Sequence, residues 1–216
     1  MLLNFSKNNQ YQLLDSLTNE NFDKFNAHKI DVKVYSLFEI SKELNRNYFF
    51  ETTQYTHTLT EYIAELGLTQ AHIFESIKEN SMSYHLTGCR KIDLKGCDRY
   101  IIPSPKVDSF EVKPEMDALS LAKTTIKCME KDYDFILVNF ANPDEVGHTG
   151  NYPATINGLQ AIDVCLGKIL EIAEENFYKV VIVSSHGNAD TIIDRQNNII
   201  TKNNLEFLLI YNLWFL

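Results

Sequence analysis

Two short polar segments of the 216-residue sequence hold residue types that could act together in chemistry. Asp144 and His148 are four residues apart, so one helical turn would place the carboxylate and the imidazole on the same side. His186 lies in the second segment and could approach this pair. Imidazole favours zinc and similar ions, whereas added carboxylate and water favour manganese or magnesium. An Asp/His/His set of this kind predicts a divalent metal site.

A purely structural role would also account for these residue types. Asp144 can cap a helix, His148 can be a surface histidine, and Gly187 can serve only to permit a turn. The spacing of the residues does not decide between the two interpretations.

Both polar segments follow apolar runs that predict strands. Residues 134–140 (DFILVNF) and 179–183 (KVVIV) are continuous apolar runs, as expected of parallel strands covered on both faces, and residues 71–76 (AHIFES) predict another buried strand. Because strand and helix patterns alternate, we expect an α/β layered fold with a largely parallel sheet flanked by helices. Ligands of such sheets bind beyond the carboxyl ends of the strands, where both polar segments lie.

The helices are predicted from caps and from apolar spacing. Thr58 and Glu61 have the spacing of a capping box, and Gly67 then marks the end of that helix. Its buried face is expected to hold Leu59, Ile63 and Leu66. A second helix, opened by Pro114, is expected to bury Leu119, Ala122, Ile126 and Met129. A third, opened by Pro153, is expected to bury Leu159, Ile162, Leu166 and Ile169. Short strands are predicted at 31–37 and 83–87.

The composition of the chain limits which kinds of molecule it is expected to bind and where in the cell it is expected to be. The formal charge is −9 and no stripe of lysine and arginine stands out, which argues against nucleic acid but leaves a phosphorylated small molecule open. The four cysteines form no CxxC pair and the first residues lack signal-peptide character, so we expect a cytoplasmic location. The apolar segment 205–216 is too short to span a bilayer as a helix, so no membrane partner is expected.

Several longer motifs carry a resemblance to a known family. The segments NFANPDEVGHTG (139–150) and SSHGNAD (184–190) resemble the C-terminal metal-binding segment of cofactor-independent phosphoglycerate mutases. PSPKV (103–107) and KPEM (113–116) look like that family's SPKV…KPEM stretch, and AHIFES is similar too. The resemblance covers nearly the whole chain and implies an alkaline-phosphatase-like fold.

The resemblance also implies a reaction and roles for individual residues. The family interconverts 3-phosphoglycerate and 2-phosphoglycerate in glycolysis, through a serine nucleophile and two manganese ions that neutralise the transferring phosphate. Asp144 and His148 match ligands of one metal ion, and His186 matches a ligand of the other. Lys78 matches the family's active-site lysine, whose cation would contact the phosphoryl group and so bind substrate.

The chain also departs from the family pattern. Ser185 stands where the family's DHGN motif has its aspartate, and Ile200 stands where the last metal-binding histidine is expected. Ser6 and Asn9 stand where the NFRxDR motif has its two substrate arginines. No match to the nucleophilic serine or to the first metal-binding aspartate is found in the chain. We therefore expect no catalytic residue, at most one weakly held manganese ion, and no turnover by the chain alone.

These departures leave several functions open. The chain can be a truncated, degenerate mutase, or half of an enzyme completed by another polypeptide. It can also be a non-catalytic binding or regulatory module that pairs with an intact mutase, or a phosphatase of the wider superfamily with an unrecognised nucleophile. In each mutase-related case, residues 1–48 are expected to be a remnant of the substrate domain or linker. Residues 49–216 are then expected to form the C-terminal part of the metal-binding domain.

Overall fold

The structure is a computed structural model, and it describes residues 1–3, 7–41, 47–51, 53–88, 90, 92–184, 186–190, 192–193 and 214–215. For residues 7–9, 84 and 214–215 it describes the backbone alone. The chain divides into two compact units, Met1–Gln54 and Tyr55–Leu216. Assignment of the first unit to a substrate domain stays a prediction.

The first unit contains one helix and a small parallel sheet. Helix α1 spans Lys7–Thr18 and buries Leu14 completely. Strand β1 (Ser36–Phe38) pairs in parallel with β2 (Tyr48–Phe50). The strand predicted at 31–37 therefore begins later than expected.

The second unit is built on a three-stranded parallel sheet. Its central strand is β3 (Gln70–Glu75), with β4 (Cys97–Ile102) on one side and β5 (Phe135–Val138) on the other. Every residue of β3 is buried, as expected for a central strand covered on both faces. Two further strands, β6 (Val181–Ile182) and β7 (Trp214–Phe215), pair antiparallel with each other.

Helices lie on both faces of this sheet. Helix α4 (Ala118–Met129) packs its Leu121 and Cys128 against Ala71 and Ile73 on β3. On the opposite face, the side chain of Gln70 donates a hydrogen bond to the backbone oxygen of Thr60 in helix α2 (Leu59–Glu65). Successive side chains of a strand point to opposite faces, which explains why neighbouring residues of β3 meet different helices. The predicted α/β layered fold with a largely parallel sheet is confirmed.

The remaining helices connect the strands or extend the helical layer. Helix α2 spans Leu59–Glu65, α3 spans Glu79–Thr87, α5 spans Asn142–Gly147 and α6 spans Tyr152–Glu175. Cys165, Ile169 and Ala173 of α6 pack against the start and end of α4 in one buried cluster. No helix in the described part of the chain is long and apolar enough to cross a membrane.

Some predictions of local structure are wrong. Residues 83–87, predicted as a strand, form the end of helix α3. The run 179–183 has only two residues in a strand, and Val181 and Val183 are exposed there. An apolar run specifies an extended segment but not which neighbour covers it, so burial could not be inferred from this run alone.

The predicted helix faces are only partly correct. Ile63, Ala122, Met129, Ile162 and Ile169 are buried as expected. Four other residues that were expected on the buried faces are exposed: Leu59, Leu66, Leu119 and Leu159. These helices use small or polar residues on the inward side at neighbouring positions, among them Thr60, Ala118 and Gly158.

Candidate functional site

The candidate site forms where β3 and β5 end side by side. The two strands are parallel and in register up to Ile73 and Val138, so their carboxyl ends meet at one edge of the sheet. The turn of 3-10 helix Ser76–Lys78 follows β3, and helix α5 follows β5. The fold thereby brings Lys78 into contact with Asp144, 66 residues further along the chain.

Local sequence explains why α5 begins where it does. Pro143 lies in the first turn, where its missing amide hydrogen is not needed. Asp144 and Glu145 occupy the same turn, where the positive end of the helix dipole favours carboxylates. The buried side chain of Asn142 anchors this end of the helix by donating to the backbone oxygen of Pro114 at 2.8 Å.

Lys78 forms ion pairs with both carboxylates of this turn. Its Nζ contacts Oδ2 of Asp144 and lies 2.7 Å from Oε1 of Glu145. The side chains of Lys78, Asp144 and Glu145 are only 17%, 22% and 19% exposed. Burial alone would lower the pKa of Lys78, but the hydrogen bonds to the two carboxylates outweigh it, so the pKa is raised and the lysine stays charged.

Asp144 is the centre of this hydrogen-bond network. His148 Nε2 donates to its Oδ1 at 3.1 Å, and Asn188 Nδ2 donates to the same oxygen at 2.9 Å. Burial would raise the pKa of Asp144, yet the bonds from His148 and Lys78 hold it well below its usual range. The bond to Asp144 raises the pKa of His148, against the opposing effect of burial. The network therefore favours the ionised form of Asp144 and the protonated form of His148.

His186 lies in the segment that follows β6. Its Nδ1 is 3.2 Å from the backbone oxygen of Gly187, and its own backbone oxygen accepts from Ser184 Oγ at 2.6 Å. Asn188, two residues further along, contacts Asp144. Some of the positions where the sequence departs from the family pattern lie outside the described residues, namely Ser6, Ser185 and Ile200. The side chain of Asn9 is outside them too.

Comparison with known proteins identifies the family. The family model of the metalloenzyme superfamily matches residues 6–204. The chain belongs to the metalloenzyme superfamily. Curated relatives in this superfamily carry the name 2,3-bisphosphoglycerate-independent phosphoglycerate mutase, in agreement with the resemblance of the motifs.

Three of these relatives show how far the similarity extends. The chain is 35% identical over 202 residues to the protein of Campylobacter jejuni, covering 94% of this chain and 41% of the relative. It is 33% identical over 203 residues to that of Helicobacter hepaticus, with 94% and 41% covered. The protein of the alga Gracilaria tenuistipitata is 35% identical over 199 residues, with 91% and 39% covered. The chain thus spans about two fifths of the length of these relatives.

A solved structure supports the same relationship. The chain superimposes on a crystal structure of Leishmania mexicana phosphoglycerate mutase, determined at low cobalt concentration, with a TM-score of 0.74 and 26% sequence identity. The superposition covers 88% of this chain and 36% of that protein.

The described residues do not fit a complete metal site of this metalloenzyme family. Across the described ranges, no three His, Cys, Asp or Glu side chains are grouped so that they could hold a metal ion. Asp144 and His148 do lie together, as the sequence predicts, but they are bonded to each other. The cation that contacts the carboxylates is the ammonium group of Lys78.

Two residues of the site were not singled out by sequence reasoning. Glu145 shares Lys78 with Asp144, and Asn188 joins the loop after β6 to helix α5. Both lie within the two polar segments that follow strands, so the rule that ligands gather at carboxyl ends could have included them. Their chemical partners could not be inferred, because Glu145 is adjacent to a stronger candidate and Asn188 is a common turn residue.

Proposed function

We propose that this chain supplies Lys78, Asp144 and Glu145 to the active site of a cofactor-independent phosphoglycerate mutase and does not interconvert phosphoglycerates by itself. The observation that carries the proposal is the placement of Lys78 against Asp144 and Glu145 at the carboxyl edge of the sheet. A lysine ammonium has three hydrogen-bond donors. Two donors go to the carboxylates, and the third remains for a phosphoryl oxygen of substrate.

The charges at the site support the lack of independent turnover. Two carboxylates face one ammonium group, and His148 adds positive charge only when it is protonated. Phosphoryl transfer needs the charge of the transferring group to be neutralised while a nucleophile is held in line with it. Such groups act as a unit, so a site with only part of them loses nearly all its rate advantage. The chain covers about two fifths of its mutase relatives, and we assign the remaining groups to sequence outside these 216 residues.

We also propose for this chain the substrates, pathway and location that the family implies. The substrates are 3-phosphoglycerate and 2-phosphoglycerate, the pathway is glycolysis, and the location is the cytoplasm. Three cysteines of the described chain, Cys97, Cys128 and Cys165, are free thiols, in keeping with a reducing compartment. Any manganese ion is expected to bind weakly.

A coupled assay of 3-phosphoglycerate conversion, with added manganese, tests the lack of turnover. The wild-type chain and a His148→Ala variant, both shown to be folded by circular dichroism, are expected to match a protein-free blank. Conversion that is present in the wild type and lost in His148→Ala would overturn the proposal.

A phosphorus NMR titration tests the role given to Lys78. The 3-phosphoglycerate resonance is expected to broaden at millimolar concentration with wild type, and to broaden much less with Lys78→Gln. Lys123 is exposed on α4 and takes part in none of the site contacts described above, so Lys123→Gln serves as the matched control. Equal broadening by both variants would argue against the phosphate contact.

A second candidate function is that of one half of a complemented enzyme. The observation that favours it is the 41% share of the Campylobacter jejuni relative that the chain covers. The test mixes the chain with a polypeptide that contains the rest of that relative and repeats the coupled assay. Turnover that needs both polypeptides, and that is lost in Lys78→Gln, would support this function.

A further inference from the structure

The carboxylate pair of the site already holds a cation that belongs to the protein. Lys78 reaches Asp144 and Glu145 from a different segment of the chain and contacts one oxygen of each. All three side chains are less than one quarter exposed. Charges that are partly removed from water interact more strongly than exposed pairs, because solvent screens them less. The contact is therefore more than a surface ion pair.

The oxygens of Asp144 have little capacity left for a metal ion. A carboxylate offers about four lone-pair positions. Lys78 takes one at Oδ2, while His148 Nε2 and Asn188 Nδ2 take two at Oδ1, at 3.1 and 2.9 Å. The one position that is left is on Oδ2, beside the Lys78 ammonium, so a metal ion there would lie next to this positive charge unless it displaced one of the three donors.

His148 is arranged as a donor and not as a ligand. Its Nε2 lies 3.1 Å from Oδ1 of Asp144, and because an ionised carboxylate only accepts hydrogen bonds, this nitrogen must carry a hydrogen for the bond to form. A nitrogen that carries hydrogen has no lone pair for a metal, and an imidazole must lose a proton before it can coordinate one there. Coordination through Nε2 would break the bond that positions both side chains.

We propose that the Lys78 ammonium is the resident cation of the Asp144–Glu145 pair in this chain and excludes divalent metal ions from it. A dication placed against the same carboxylates would lie close to a positive charge that it repels. Removing that charge leaves Glu145 without its lysine partner and Asp144 with His148 as the neighbour that can carry positive charge, and a pair of partly buried carboxylates of this kind attracts a hard metal ion. The proposal concerns the metal affinity of the chain and does not depend on its having mutase activity.

Electron paramagnetic resonance of free Mn²⁺ measures this affinity directly. Lys78→Met keeps the apolar stem and removes the charge, and it is expected to bind Mn²⁺ at least about tenfold more tightly than wild type. Lys78→Arg keeps the charge and is expected to bind as weakly as wild type. The double variant Lys78→Met/Asp144→Asn is expected to lose the gain, which would locate the ion at Asp144.

Thermal unfolding gives a second readout. Without metal, Lys78→Met is expected to have a lower Tm than wild type, and Mn²⁺ should raise the Tm of Lys78→Met but not that of wild type. If Lys78→Met does not fold, Lys78→Gln is used in its place. Two results overturn the proposal: a wild-type chain that holds Mn²⁺ with a Kd of about one micromolar or tighter, or a folded, neutral Lys78 variant that binds no more tightly than wild type.

Discussion

Asn188 donates its side-chain amide to both the backbone oxygen and Oδ1 of Asp144, at 2.9 Å in each case. This pair of bonds joins the segment after β6 to helix α5, 44 residues away along the chain. Gly147 makes the close approach feasible, because a Cβ atom there would lie 3.2 Å from Cγ of Asn188. The conformation of the site therefore depends on a residue that carries no charge.

Replacing Asn188 with alanine is expected to destabilise the protein by about 1–2 kcal/mol, since two partly buried hydrogen bonds are lost, one of them to a charged oxygen. Urea unfolding measures this change. Asn157 is exposed on α6, so Asn157→Ala is the matched control and is expected to leave the stability unchanged or slightly raised. Equal effects of the two substitutions would show that the Asn188 bonds do not stabilise the fold.

The parts of the site that could be predicted from sequence depend on short-range rules. The i, i+4 spacing of Asp144 and His148 does produce a direct contact between their side chains. The position of both residues after an apolar strand correctly predicted the carboxyl edge of a parallel sheet. The central strand β3 was predictable only in part: its apolar residues Ala71, Ile73 and Phe74 are buried as expected, but the polar residues between and beside them are buried as well, which their residue types do not indicate.

The parts that could not be predicted depend on long-range packing. Nothing in the local sequence shows that Lys78 bonds to two carboxylates 66 and 67 residues away. The inward face of a helix likewise depends on its neighbours: Leu121 and Cys128 pack on the sheet, while Leu119 of the same helix is exposed. The apolar period of a helix identifies a face, but small and polar residues can shift that face by one position.

The capping box of helix α2 provides a test of a local prediction that the structure confirms. Thr58 accepts a hydrogen bond from the backbone amide of Glu61, and the Glu61 side chain accepts one from the backbone amide of Thr58. Thr58→Ala is expected to cost about 1 kcal/mol in the free energy of unfolding, because the amides of the first turn lose a partner. Thr53→Ala, at an exposed position outside any helix or strand, is the control. A loss no larger than that of the control would contradict the cap's contribution.

Two glycines of helix α6 are expected to respond in opposite directions to substitution by alanine. A Cβ at Gly158 would lie 2.9 Å from the backbone oxygen of Pro114, whereas a Cβ at Gly167 would have no atom within 4 Å. Gly158→Ala is expected to destabilise the protein by about 1–3 kcal/mol through overpacking. Gly167→Ala is expected to stabilise it by about 0.5–1 kcal/mol, because alanine has the higher helix propensity. Urea unfolding of both variants gives the sign of each effect, and a destabilised Gly167→Ala would contradict this reasoning.

His72, on the central strand, should make the stability of the protein depend on pH. Its side chain is completely buried, and its Nε2 lies 3.0 Å from Oε1 of Gln70. Burial, together with repulsion from Arg99, lowers the pKa of His72 to about 4. In the unfolded chain its pKa is about 6.5. The unfolded state therefore binds a proton below about pH 6.5 that the folded state does not accept until about pH 4, so stability falls as the pH decreases through this window.

The size of this effect can be isolated with a variant that does not titrate at this position. Between pH 7.5 and pH 5.0, His72 is expected to remove up to about 2 kcal/mol from the free energy of unfolding. His72→Gln keeps a side chain that can donate to Gln70 but cannot take up the proton, so its stability should fall less over the same interval. Urea unfolding of both proteins at the two pH values measures the difference. Parallel pH profiles would mean that the buried imidazole is already protonated in the folded state, or that it reaches water more readily than its position on β3 implies.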